Sequence, residues 1–206
     1  MTPYKLLIIV ATFILFSCNT SENHSSENQN ANADSEIKES TTPEDFREVY
    51  TDFFTAVKDV NENRFNEYIH PEIGLFIIQQ DGAMPSLSNV TDIVKFKRSY
   101  DKKHFFAFNL DVIGIEMIQQ ELPKMNCEEF DGYDKQGCFT QQVNKLAATK
   151  FWEFVDTTPE LKSKCESAAN TIKWTVINTA NYGYYFSQID GKWYITFIDM
   201  RQPCSA

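Results

Sequence analysis

Residues 184–189 and 192–198 are two apolar, aromatic-rich runs separated only by Asp190-Gly191. Asp and Gly both tolerate positive φ, so this dipeptide closes a two-residue hairpin that pairs Ile189 with Lys192. The remaining register follows from the strand period of two. Tyr184, Phe186, Trp193, Ile195 and Phe197 then share one face, and Tyr185, Ser187, Lys192, Tyr194 and Thr196 share the other. Upstream, Ile172, Trp174 and Val176 alternate with Lys173 and Thr175, the pattern of a half-buried strand. The C-terminal part is therefore predicted to be a meander with one core face and one wetter face.

The first half reads differently. Thr42-Pro43-Glu44-Asp45 offers a capping hydroxyl, proline at the first helical position and acids in the first turn. Phe46, Val49, Tyr50, Phe53, Val57 and Val60 then recur at helical spacing, which predicts a long amphipathic helix over about 43–60. Asn61-Glu62-Asn63 interrupts it. A short second helix carrying Phe65, Tyr68 and Ile69 should stop at His70-Pro71, because a residue before proline avoids the helical well. Residues 74–78 read as a strand, 83–89 as a loop, and 90–100 as a loop with room for a short helix. A strand over 105–118, an irregular hairpin over 123–139, a helix over 141–155 and a capped short helix over 158–168 follow. Helices that precede a sheet define an α+β fold, here a long N-terminal helix packed on one face of a curved antiparallel sheet.

The chain opens with a short positively charged head, an uncharged apolar run over residues 6–16, and then Ser17-Cys18. That layout is a secretory signal peptide. A spanning helix needs roughly 20 apolar residues, more than this run supplies. Residues 19–41 are Ser, Asn, Glu and Thr-rich with no aromatic residue, and cannot bury enough surface to offset their ordering entropy. The expected organisation is a signal over 1–17, a tether over 18–41 and one α+β domain over 42–206. A net charge of −10 argues against a nucleic-acid partner, since phosphate binding needs clustered Lys and Arg.

Leu15, Ser17 and Cys18 resemble a bacterial lipobox: Leu, a variable residue, a small residue and the invariant Cys. The resemblance implies cleavage before Cys18 and lipid on that residue. It also implies a location in the bacterial cell envelope, anchored to the membrane and facing either the periplasm or the surface. One acyl chain anchors only marginally, and the two or three of a bacterial lipoprotein hold stably. With Cys18 assigned to lipid, four of the five cysteines remain: Cys127, Cys138, Cys165 and Cys204. An even number in an exported chain reads as two disulfides with three possible connectivities. Cys127–Cys138 and Cys165–Cys204 is the pairing favoured here.

The helix order, the stop at His70-Pro71 and the Gly-Lys-Trp-Tyr-Ile run over 191–195 resemble NTF2-like (cystatin-related) cone folds. Such domains enclose a pocket between the N-terminal helix and the concave sheet. Some are isomerases or dehydratases with an Asp or His base and a Tyr partner, and many only bind. If the enzyme pattern held, Asp199, Tyr184 and Tyr50 would be the catalytic candidates by face. The alternative for Asp199 is a strand-end cap beside Arg201. No nucleophile elbow, phosphate loop or zinc-ligand spacing accompanies them, and no cofactor or metal is expected. Lys95, Lys97, Arg98, Lys102 and Lys103 form one basic concentration. Glu128, Glu129, Asp131 and Asp134 form an acidic one that lacks the alternation of a calcium loop. The expected function is non-catalytic binding of a small molecule, glycan or protein. The alternatives are a cone-pocket isomerase- or hydrolase-like enzyme, and a secreted inhibitor or interaction module using a clipped 127–138 loop.

Overall fold

The computed structural model describes residues 44–204, apart from 81, 115, 130 and 131. The predicted signal, Cys18, the tether and the Thr42-Pro43 cap lie outside these residues. The hairpin forms in the predicted register at its turn. β8 (Gly183–Ile189) and β9 (Lys192–Asp199) pair antiparallel with Ile189 opposite Lys192, and Asp190 and Gly191 take φ of +51° and +77°. Further along, the register shifts. Phe186 pairs with Ile195 but Tyr185 pairs with Phe197, so Thr196 is an extra residue in β9. A bulge of this kind turns every later side chain to the other face. Phe197 therefore leaves the face of Trp193 and Ile195 that it was expected to share.

β7 (Ile172–Asn178) completes the meander, and it belongs to a larger sheet. With β1 (Leu75–Gln80), β2 (Pro85–Val90), β3 (Ile118–Gln119) and β6 (Cys138–Gln141), the seven strands run in the order β2-β1-β9-β8-β7-β6-β3. The sheet is mixed, not antiparallel throughout: β1 is parallel to β9 and β3 is parallel to β6. β4 (Met125–Asn126) and β5 (Gly132–Tyr133) form a separate small hairpin.

The fold is α+β, with corrections to its parts. α1 (Glu44–Lys58) has fifteen residues, so the long helix expected through residue 60 stops early. Val60 takes φ +53°, and the Asn61 side chain caps α2 (Glu62–Asn66) by accepting from the Arg64 amide. Residues 85–90, read as a loop, are an edge strand, which tolerates Pro85 at its first position. Residues 105–118, read as a strand, are mostly irregular, because Phe105, Phe106 and Ile113 turn inward as plugs under α1. The helix expected over 141–155 is split into α3 (Lys145–Thr149) and a tight turn over Phe151–Phe154, with Lys150 at φ +44° between them. α4 (Pro159–Ala169) starts on its Thr158 cap as predicted.

Both faces of the sheet are covered, where one was expected. α1, α2 and the 105–113 plugs cover Trp174, Tyr184, Phe186, Trp193 and Ile195 on one face. Leu146, Phe151, Trp152, Cys165 and Ala168 cover Phe76, Ile78, Tyr185 and Phe197 on the other. The hydroxyls of Thr175, Ser187 and Thr196 are buried and bonded to one another or to backbone. Ser187 and Thr196 share a 2.8 Å bond, and Thr175 donates to the Val143 carbonyl at 2.6 Å. A buried hydroxyl without such a partner would be costly.

The cysteine pairing differs from the favoured one. Cys127 is joined to Cys204, while Cys138 and Cys165 are buried free thiols. Cys138 lies under α1 and Cys165 faces the opposite core from α4. Burial pushes the Cys138 thiol up to about 11 and the Cys165 thiol up to about 12. At pH 8 a thiol near 11 is ionised on the order of once in a thousand, and the thiolate is the nucleophile. Non-reduced full chain carrying Cys18→Ser should thus show no fast reaction with a thiol-specific disulfide reagent. Two thiols should appear on unfolding. Four, or none, would contradict this pairing.

Candidate functional site

Asp199, Tyr184 and Tyr50, expected to share a helix-facing pocket, do not meet. Tyr50 and Tyr184 lie fully buried on the α1 face. Their hydroxyls are already used: Tyr50 donates to Cys138 Sγ at 3.1 Å and Tyr184 donates to Asn181 Oδ1 at 3.0 Å. Burial holds both phenols well above their ordinary range. The space between α1 and the sheet is filled with rings. Phe46 stacks on Trp174 at 4.6 Å, and Phe53 meets Tyr184 and Phe186 edge-on at 6.0 and 5.2 Å.

Thr196, the bulged residue, sends Asp199 to the opposite face, where it is opposite Gly183. There its carboxylate binds Arg201 in a fork: Nε donates to Oδ1 at 2.8 Å and Nη2 to Oδ2 at 2.6 Å. The Arg201 amide adds a third bond to Oδ1 at 3.1 Å. The strand-end cap is thus the arrangement found. A carboxylate holding three donors is a poor general base, since proton abstraction would first have to break them.

A cleft of about 310 Å³ opens beside this pair. Its floor is Gly183, Tyr185 and Ile177 from the meander; Lys145, Leu146 and Thr149 of α3 form one wall. Met125 and Tyr133 of the small hairpin and the tail from Asp199 to Cys204 close the rest. The Cys127–Cys204 disulfide holds the tail to the segment carrying that hairpin. Asn144 starts α3 by accepting from the Ala147 amide at 3.0 Å, which sets Lys145 at the rim. The Lys145 ammonium donates to the Pro123 carbonyl at 3.3 Å, and burial pulls its pKa below the usual lysine range against the pull of Asp134 and Asp199. Burial first, and the Asp199 charge second, raise the phenols of Tyr185 and Tyr133.

Of these residues, only Asp199 and Arg201 carried a signal in the sequence, through their spacing at a strand end. Tyr185 was legible as lying on the second face, but not as the floor of a cleft. Lys145 and Tyr133 come from segments with no local pattern that would have connected them.

Of the residues in the two charge clusters, Asp131 lies outside the described residues. Arg98 is buried and forked onto Asp101 at 3.0 and 2.7 Å, while the neighbouring lysines are exposed. Asn126 organises the acidic segment by accepting from the amides of Glu128 and Glu129. Among the described residues no three His, Cys, Asp or Glu side chains are grouped to hold a metal ion, and no helix is long and apolar enough to cross a membrane. Compared with known proteins, the chain matches no family model, no curated protein and no solved structure.

Proposed function

We propose that this chain is a lipid-anchored protein of the bacterial envelope whose folded domain, NTF2-like in layout, binds a small molecule without turning it over. The layout is supported by two helices leading into the β1–β2 hairpin, with β9 returning beside β1 at the end of the meander. The binding reading is carried by one observation. The only carboxylate among the three catalytic candidates lies on the far side of the sheet from Tyr50 and Tyr184, locked to Arg201, while an open cleft lies beside it. A concave site with apolar walls and a few converging polar groups is the usual form of a small-molecule site.

Two measurements test this. Labelled palmitate should enter the wild-type chain and not a Cys18→Ser variant, which should also leave the membrane fraction. Labelling of both alike would remove the anchor. A library of small neutral and charged fragments, screened by NMR against the full chain in detergent, should shift the resonances of Tyr133, Tyr185 and Gly183 saturably and remain chemically unchanged. Fragments that left all three unmoved, or that were converted, would sink the binding reading.

A further inference from the structure

Residues 97–104 form a tight reversal that leaves the core under α1. Phe96 and Phe105 on either side of it are buried, and between them Lys97 bridges His104 in antiparallel fashion. The Arg98 amide donates to the Lys103 carbonyl at 2.8 Å, and the Lys102 amide donates to the Arg98 carbonyl at 3.0 Å. Arg98 holds the tip from within: its buried guanidinium is forked onto Asp101 and lies 5.2 Å from the centre of the Tyr100 ring. The Ser99 amide donates to Gln79 Oε1 at 3.0 Å, which ties the loop to the end of β1. Contacts below the surface thus fix its shape. What it presents to solvent is Tyr100, 61% exposed, with Lys97, Lys102 and Lys103. Val94, 47% exposed, and Lys95 lie just before it on the one-turn helix Ile93–Lys95.

Charge and backbone both set this loop apart. Residues 92–104 hold five Lys or Arg against Asp92 and Asp101 alone, in a chain of net charge −10. Asp101 is paired with Arg98 and approached by Lys103 at 3.7 Å, so its charge is matched within the loop. Lys102 takes φ +59°, in the left-handed region that Gly or Asn occupies with less strain. Its side chain is exposed, so burial does not offset that strain. A lysine is kept where a smaller residue would suit the backbone better. Lysines beside an exposed tyrosine and valine are the composition of a surface that meets a bilayer. Basic side chains near the headgroups attract anionic lipid, and the amphipathic Tyr ring sits at headgroup level. A soluble polyanion would use the charge and leave the Tyr100 ring and Val94 in water.

We infer that the segment 94–104 docks on an anionic lipid surface, with Lys95, Lys97, Lys102 and Lys103 against headgroup phosphates and the Tyr100 ring among the headgroups. This rests on the envelope location proposed above and is independent of the cleft. For a domain already held at a bilayer by lipid, a second contact is intramolecular, so a weak one suffices to orient the domain. Each lysine near an anionic surface strengthens association roughly fivefold.

The test is flotation of the full chain with vesicles, carrying Cys18→Ser so that no acyl chain contributes. Vesicles rich in phosphatidylglycerol are compared with phosphatidylcholine alone. The anionic vesicles should bind roughly tenfold or more tightly than the neutral ones, and about 1 M salt should remove the difference by screening. Lys97→Gln, Lys102→Gln and Lys103→Gln together should weaken anionic binding on the order of a hundredfold. Lys58→Gln, Lys124→Gln and Lys173→Gln, an equal loss of charge at exposed sites elsewhere, should leave it in place. Lys102→Asn separates a lost contact from a lost fold. It should weaken binding roughly fivefold while the urea midpoint stays level or rises, because Asn tolerates the left-handed backbone. Tyr100→Ser should weaken vesicle binding several-fold and leave any binding to a sulfated polysaccharide unchanged. Equal affinity for both kinds of vesicle, or a triple 97/102/103 variant that binds like its parent, would overturn the inference. Polysaccharide binding as tight as that of the anionic vesicles, with Tyr100→Ser without effect on either, would make the partner a soluble polyanion and overturn the lipid surface. Palmitate labelling of the wild type is read separately, so the anchor and this surface can fail independently.

Discussion

Phe53→Ala is expected to destabilise the domain by about 4 kcal/mol, the middle of the range for truncating a buried Phe. Phe53 is fully buried on α1, and its ring lies within 6.0 Å of Phe54, Phe65, Tyr68, Tyr184 and Phe186. It thus joins α1, α2 and β8. Four of its five ring contacts are edge-on at 5.2–6.0 Å, and such pairs contribute roughly 0.5–1.5 kcal/mol beyond burial. Neighbouring rings are held by other partners and can collapse only partly into the gap. Urea unfolding should move to a much lower midpoint at an unchanged slope. A shift below about 1 kcal/mol, the effect of a typical mutation, would mean that this layer is loosely packed.

The second large effect concerns the disulfide. Replacing both Cys127 and Cys204 by Ser should cost about 4 kcal/mol in the chain-entropy model, because the bridge spans 77 residues. It should also free the tail that walls the cleft, so fragment binding at the cleft and stability should fall together. Cys138→Ser is the control. It leaves the bridge intact and changes only the acceptor of the Tyr50 hydroxyl. Were Cys138 the partner of Cys127, that single change would produce the large loss instead. Equal urea midpoints for the Cys127/Cys204 double variant and the wild type would remove the bridge from the native state.

What these residues reveal about legibility is uneven in a physical way. Helical spacing made the buried face of α1 readable, because Phe46, Tyr50, Phe53 and Val57 lie within four turns of one another. Its end was less readable: the break depends on Val60 adopting positive φ, which a β-branched residue does only under tertiary constraint. Disulfide parity could not choose a connectivity. Closing 77 residues rather than 11 costs only roughly 2 kcal/mol more in loop entropy, less than the packing that buries Cys138 and Cys165 in separate cores.

The Asp190-Gly191 turn, the Thr158 cap on α4 and the α+β class were determined by the sequence alone, because each depends on residues a few positions apart. The bulge at Thr196 was not. It satisfies packing on both sides of a sheet whose covering elements come from residues 44–66 and 145–169, and local alternation carries no record of those partners. That single extra residue decided the face of Asp199. It separated the carboxylate from Tyr50 and Tyr184, set it beside Arg201, and left Tyr185 as the floor of a cleft whose walls are distant in the chain.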